Sequence, residues 1–176
     1  MASVFGHALA SIALGANFYK IKKNVKFWLL GVFCSIFPDF DVIGFKFGIK
    51  YASFFGHRGF THSLVFAFFL GLIITFIFYR NHDKKYYYVL FFIFATASHS
   101  ILDAMTTGGL GVAFFSPFNN GRYFFSWRPI QVSPIGASKF FSSWGLRVIK
   151  SELIWIGIPS VIMLFIVKLK KYFFDK

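Results

Sequence analysis

The sequence predicts an all-α polytopic membrane protein, and three observations carry that prediction. Of 176 residues 57% are hydrophobic and only 14% charged, with a mean hydropathy of +0.64, so too few polar side chains exist to coat a water-soluble core. The 29 phenylalanines would otherwise have to face water. The apolar residues gather into stretches near the ~20 residues that a helix needs to cross hydrocarbon. Finally, 19 Lys and Arg against 6 Asp and Glu give a net charge of +13, and the basic residues lie in short clusters between the apolar stretches. That is how topology signals are written.

Five spans follow in order, at about 3–18, 27–44, 62–79, 86–105 and 152–168, within a single integral membrane domain over 1–176. The first and last are the shortest, which leaves tilt or partial insertion open. The opening twenty residues lack a basic start and an A-x-A site, and His7 interrupts them, so they do not read as a removable signal peptide. Lys20, Lys22, Lys23 and Lys26, then Arg80, Lys84 and Lys85, then Lys168, Lys170, Lys171 and Lys176 hold 11 of the 19 basic residues. With five spans all three clusters fall on one side, which the positive-inside rule makes cytoplasmic. Cys34 is the only cysteine and sits in an apolar run, which excludes an intramolecular disulfide and a thiolate zinc cluster.

Two connections lie on the other side, 45–61 and 106–151. In the second, the turn signal Ser116-Pro117-Phe118-Asn119-Asn120-Gly121-Arg122 precedes the aromatic run Tyr123–Trp127, which predicts a short β-hairpin over the membrane surface. An interfacial helix is expected near Lys139 to Lys150, with Phe140, Phe141 and Trp144 in the headgroups.

The eleven His, Asp and Glu residues can be placed individually. His82 and Asp83 fall in a cytoplasmic loop, Asp175 in the tail, and Glu152 opens the last span, where a carboxylate suits a helix N-terminus. The other seven are His7, Asp39, Asp41, His57, His62, His99 and Asp103, and each falls at the outer end of a span. A lone acidic residue at the centre of a membrane helix costs ~2.5–3.5 kcal/mol, so the group needs compensation, and a divalent cation supplies it. Four imidazoles with three carboxylates suit Zn, Mn or Fe better than Ca or Mg. His99 and Asp103 are spaced i, i+4 on one helical face. Asp39 and Asp41 need a distorted helix, which Pro38 provides. In His57-Arg58-Gly59-Phe60-Thr61-His62, a loop ligand is followed by a glycine turn, Thr61 as N-cap and a ligand in the first helical turn. Each residue also has a bland reading: His7 as a hydrogen-bonded interface residue, Asp39 and Asp41 as helix terminators, His99 and Asp103 as a neutral pair or proton relay.

Gly6-His7, Pro38-Asp39-Phe40-Asp41, His57-Arg58-Gly59-Phe60-Thr61-His62-Ser63 and Ser98-His99-Ser100-Ile101-Leu102-Asp103 resemble the prokaryotic family of membrane-bound, predicted metal-dependent hydrolases, one branch of which is SOS-induced and LexA-controlled. The resemblance covers residues 1 to about 135, including Phe115-Ser116-Pro117-Phe118, and implies a multi-pass inner-membrane protein whose metal site is made from those His and Asp positions. The order of His, Asp, His and H-x-x-x-D is also loosely similar to zinc-dependent phospholipase C. Its closing H-x-x-x-E is missing here, which leaves the number of metals open.

The expected activity is a metal-dependent phosphoesterase acting on a lipid-linked, anionic substrate at the extracytoplasmic face. Two ions, zinc ahead of manganese or iron, would lower the pKa of a water toward ~7 and steady the leaving oxygen. Arg58 is the expected phosphate contact, with Arg122 and Arg128 as further substrate contacts, and Asp41 or Asp103 as proton acceptor or bridge. Membrane lipids are the expected partners; no nucleic acid is expected, because no recognition motif is present and topology accounts for the basic clusters. Two alternatives stand: a metal-dependent amide or ester hydrolase, disfavoured by the absence of H-E-x-x-H and G-x-S-x-G, and a non-enzymatic metal transporter or sensor.

Overall fold

A computed structural model describes residues 1–18, 20–21 and 23–174. Lys22, Asp175 and Lys176 lie outside the described residues. Among the described residues seven α-helices follow one another: α1 (Val4–Ala16), α2 (Val25–Ile36), α3 (Leu64–Tyr79), α4 (Lys85–Ala104), α5 (Ala137–Phe140), α6 (Ser143–Glu152) and α7 (Ile158–Phe174). Polar side chains start four of them by accepting a free backbone N–H: Ser3 from Gly6, Asn24 from Phe27, Ser63 from Phe66 and Ser142 from Trp144. Pro38 has no N–H to give and ends the α-helical pattern of α2, which continues as a 3-10 helix over Phe37–Phe47.

Among the described residues three helical stretches are long and apolar enough to cross a membrane: Val25–Phe47, Lys85–Ala104 and Ser143–Phe173. The expectation of five full spans is corrected on this point. At 1.5 Å per residue, α1 with 13 residues and α3 with 16 rise only about 20 and 24 Å, short of a ~30 Å hydrocarbon core. The separate interfacial helix is corrected too, because α6 runs through a π-helical turn, Leu153–Gly157, into α7.

α4 lies at the centre and packs on α1, α2 and α3. Gly71 permits the α3–α4 approach, since a Cβ there would stand 2.5 Å from the Ile93 side chain and 2.8 Å from its backbone nitrogen. The buried core between α2, α3 and α4 is aromatic: Phe27, Tyr79, Tyr88, Phe91 and Phe92 meet around Cys34 and Ala95, with Phe27 stacked on Phe91 at 4.3 Å. At the end of the bundle away from His62, His99 and Asp103, Lys20 lies over Tyr87 and Lys26 over Phe78, so the α1–α2 and α3–α4 connections meet there.

The β-hairpin does not form; the described residues contain no strand. Isolated bridges join Val112 to Tyr123 and Thr106 to Ile130 instead. The reason lies in where the backbone partners sit. Val112 and Tyr123 exchange both backbone hydrogen bonds across the expected turn, but pairing stops there, because Phe125 N–H donates to the Ala104 carbonyl at the end of α4 and the neighbouring Arg122 guanidinium holds the carbonyls of His57, Tyr51 and Ser53.

Candidate metal centre

His7 comes from the first turns of α1, Asp39 and Asp41 from the 3-10 helix after α2, His62 from a 3-10 turn (Phe60–His62) before α3, and His99 and Asp103 from the last turns of α4. Short side chains at the same end of four elements therefore meet at one place. Thr61 is not the cap of α3; Ser63 is, and the Thr61 hydroxyl donates to Asp41 at 2.8 Å. In a 3-10 helix successive residues turn by about 120°, so Asp39 and Asp41 diverge and approach the His62 ring from its two nitrogens. Asp39 Oδ1 lies 3.6 Å from Nε2, and Asp41 Oδ2 lies 3.2 Å from Nδ1.

Two groups of metal-ligating side chains result, Asp39, His62, His99 and Asp103, and Asp41, His57 and His62. His99 Nδ1–H donates to the Ser35 carbonyl at 2.7 Å, which turns its Nε2 lone pair inward. His62 Nδ1 faces the oxygens of Asp41 and Thr61, so its Nε2 lone pair turns inward as well. The two Nε2 atoms stand 3.0 Å apart, with Asp39 Oδ1 at 3.4 Å from that of His99. Two imidazole nitrogens facing each other at this distance beside a carboxylate can share either a proton or a metal ion. Both Asp39 oxygens are buried without a hydrogen-bond donor, as is Asp103 Oδ2. The donor set of two imidazoles and carboxylates fits a divalent transition metal.

The family model described as "YdjM inner membrane protein" matches residues 1–174. The chain belongs to this family. "Inner membrane protein YbcI" of Escherichia coli (strain K12) is 37% identical over 167 residues, covering 93% of this chain and 95% of the relative. No solved structure matches. Membership of the YdjM inner membrane protein family agrees with the apolar helices and makes this an inner-membrane chain.

Within this member of the YdjM family the arginines differ in what they can do. Arg58 is fully buried, at a backbone φ of +64°. Its Nε lies 3.0 Å from Asp103 Oδ2, Nη1 donates to the Gly108 carbonyl and Nη2 to Thr106 Oγ1. The expected phosphate contact is thus engaged inside the protein, by Asp103, Gly108 and Thr106. Arg122 is held by three carbonyls. Arg128 is exposed, over the Phe124 ring at 4.6 Å. Gly59 makes the tight loop possible, since a Cβ there would stand 2.2 Å from the Phe54 carbonyl oxygen.

His7 stands apart from both ligand groups. Its ring stacks on His99 at 3.8 Å, its Nε2 lies 3.4 Å from Asp103 Oδ1, and neither ring nitrogen has a hydrogen-bond partner. His57 Nδ1–H donates to Asp41 at 2.7 Å, and burial pushes this imidazole below its ordinary pKa against the upward pull of Asp41.

One residue has a larger part than its place in the sequence indicated. Glu152 does not open a span; it lies inside the α6–α7 helix, buried, and accepts from both the backbone N–H and the hydroxyl of Ser3. Ala2 N–H then donates to Asp103 Oδ1 at 2.7 Å, so Glu152 and the cluster are joined by two residues of chain. The signal for this was available: Glu152 is the single acidic residue of the last apolar stretch.

Proposed function

We propose that this chain is a membrane-embedded metal-dependent hydrolase, with a phosphoric ester on a lipid-linked, anionic molecule as its substrate and its site on the extracytoplasmic side. The observation that carries the reading is the buried meeting of the His62 and His99 Nε2 atoms with an Asp39 carboxylate that has no donor of its own. Asp39, His62, His99 and Asp103 would hold the metal, zinc ahead of manganese or iron. A bound divalent cation supplies Lewis acidity toward a phosphoryl oxygen and a nucleophile at neutral pH.

The chain's own groups do the rest. Ser35 and Asp41 fix the ring orientations of His99 and His62. Arg58 clamps Asp103, and Arg128 is the guanidinium left to meet an anionic headgroup. His7, with both ring nitrogens unpartnered beside Asp103, is placed to take or give a proton. A lipid-borne substrate is supported by an apolar crevice of about 270 Å³ between α1 and the α6–α7 helix, lined by Phe5, Leu9, Ile149, Leu153 and Ile156 together with Glu152. A second crevice of about 330 Å³ shares Phe5 and is lined by Met1 and Ser3, next to Ala2, whose N–H is bound to Asp103.

The side assignment rests on the basic connections at the opposite end of the bundle. A second reading, a metal-holding protein without turnover, is favoured by the burial of Asp39, His62, His99 and Asp103, with Met1 and Ala2 bonded to Asp103.

The test is phosphate release from lipid phosphomonoesters and diesters in mixed micelles by the purified full chain. Release should stop on chelation, return with zinc, and be absent from Asp103→Asn, which should also have lost its metal. Metal-independent release, or full activity in that variant, removes the proposal. Cation flux in proteoliposomes without hydrolysis would give precedence to transport.

A further inference from the structure

The two ligand groups share His62, and the sequence leads to an expectation of two cations. Their internal distances are unlike. Among Asp39 Oδ1, His62 Nε2 and His99 Nε2 the separations are 3.0, 3.4 and 3.6 Å. Four ligands at 2.0–2.1 Å around one zinc stand about 3.3 Å from one another, so these three atoms already form one face of such a site. Asp103 Oδ2 completes it more loosely, at 3.7 Å from His62 and 4.0 Å from His99, held back by Arg58 Nε at 3.0 Å.

The second group has no such opening. His57 Nδ1 stands 2.7 Å from Asp41 Oδ1, the distance of a charge-assisted N–H···O bond and too short for two ligands of one cation. Asp41 Oδ2 already accepts from Thr61 Oγ1 and from the Arg58 backbone N–H. The asymmetry extends to unmet hydrogen bonds: both oxygens of Asp39 are buried without a donor, and neither oxygen of Asp41 is. A cation at Asp41 would also have to strip the proton from His62 Nδ1 and make that ring a bridging anion. Asp41 instead has the geometry of a carboxylate behind a ligating imidazole, the arrangement that fixes ring tautomer and raises ligand basicity.

We propose that the cluster is built for one cation, held by Asp39, His62 and His99 with Asp103 at the fourth corner, and that Asp41, backed by His57, is a positioning residue for His62. This rests on the metal-centre reading above and fixes its count and division of labour. It leaves the three-ligand face with one loosely held corner, where an active centre keeps its exchangeable position.

The experiment titrates zinc into the chelator-stripped full chain in detergent, with metal content by mass spectrometry and X-ray absorption at the zinc edge. The wild type should bind one zinc per chain with two imidazoles in its shell and no zinc–zinc scattering at ~3.5–4 Å. Asp41→Asn should still bind one zinc, with affinity lowered roughly 10–100-fold. Its cobalt-loaded form should shift the visible bands of a four-coordinate site without losing their intensity. Asp39→Asn should bind none. Two zincs in the wild type, one of them lost in Asp41→Asn, overturns the proposal, as does an unchanged affinity in that variant. Should Asp41→Asn fail to fold, Thr61→Val carries the same test, with one zinc bound several-fold more weakly expected and unchanged affinity overturning it. A folded wild type that takes up no zinc, cobalt or manganese overturns the metal centre itself, a result distinct from a wrong count.

Discussion

Arg58 Nε stands 3.0 Å from Asp103 Oδ2, and both side chains are completely buried. Removing one partner of such a pair strands the other charge, which costs about 3–5 kcal/mol. Arg58→Met should therefore lower the thermal unfolding midpoint in detergent sharply. Arg58→Lys should recover only part of the loss, because one ammonium cannot reach the carboxylate, the Gly108 carbonyl and the Thr106 hydroxyl together. A lysine variant as stable as the wild type would show that the fork geometry is not what holds Asp103.

Chelation should destabilise the chain. A cation that binds only the folded state at a thousand times its Kd contributes about 4 kcal/mol, and the buried Asp39 oxygens have no other partner. Thermal scans should show the midpoint falling with chelator and recovering with zinc, while Asp39→Asn responds to neither. An equal response in that variant would place the stabilising ion elsewhere.

The link between Ser3 and Glu152 should hold α1 in place. Ser3→Ala removes both a donor to the buried carboxylate and the acceptor that caps α1, together worth roughly 1–3 kcal/mol. Hydrogen exchange should accelerate in residues 1–16 and remain slow in α3 and α4. Uniform acceleration across the chain would mean that the contact matters to global stability alone.

Phe91 tests the core independently of the centre. It is fully buried, stacked on Phe27 and closed in by Gly15 and Gly31, so Phe91→Ala should cost about 3–5 kcal/mol. Because the aromatic cluster lies away from the ligands, the folded fraction should bind zinc with wild-type stoichiometry. Loss of metal in that fraction would show that packing and ligation are coupled through α4.

The sequence made the centre legible because helix direction and basic clusters already sort His7, Asp39, Asp41, His57, His62, His99 and Asp103 to one end. The i, i+4 spacing of His99 and Asp103 and the disruption at Pro38 are local properties, and they persist in the folded chain. What sequence could not supply depends on partners far away along the chain. Glu152 is 149 residues from Ser3, and Arg58 meets Gly108 across 50. Tyr123 does bridge Val112 across the expected turn, but the next donor, Phe125 N–H, goes to Ala104 at the end of α4, so one pair forms and no ladder follows. α1 and α3 read as full spans because hydropathy registers composition, whereas their start points are set by the caps at Ser3 and Ser63 and leave them with 13 and 16 residues.

Cys34 is the chain's only sulfhydryl and is fully enclosed between α2 and α4. Probes that react with thiols from water therefore meet a silent background. Single cysteines introduced at Lys84 and at Arg128, both exposed, would report separately from the two ends of the bundle in intact cells. An impermeant maleimide that modifies the second and spares the first would orient the protein in its bilayer without removing any native residue of the buried centre.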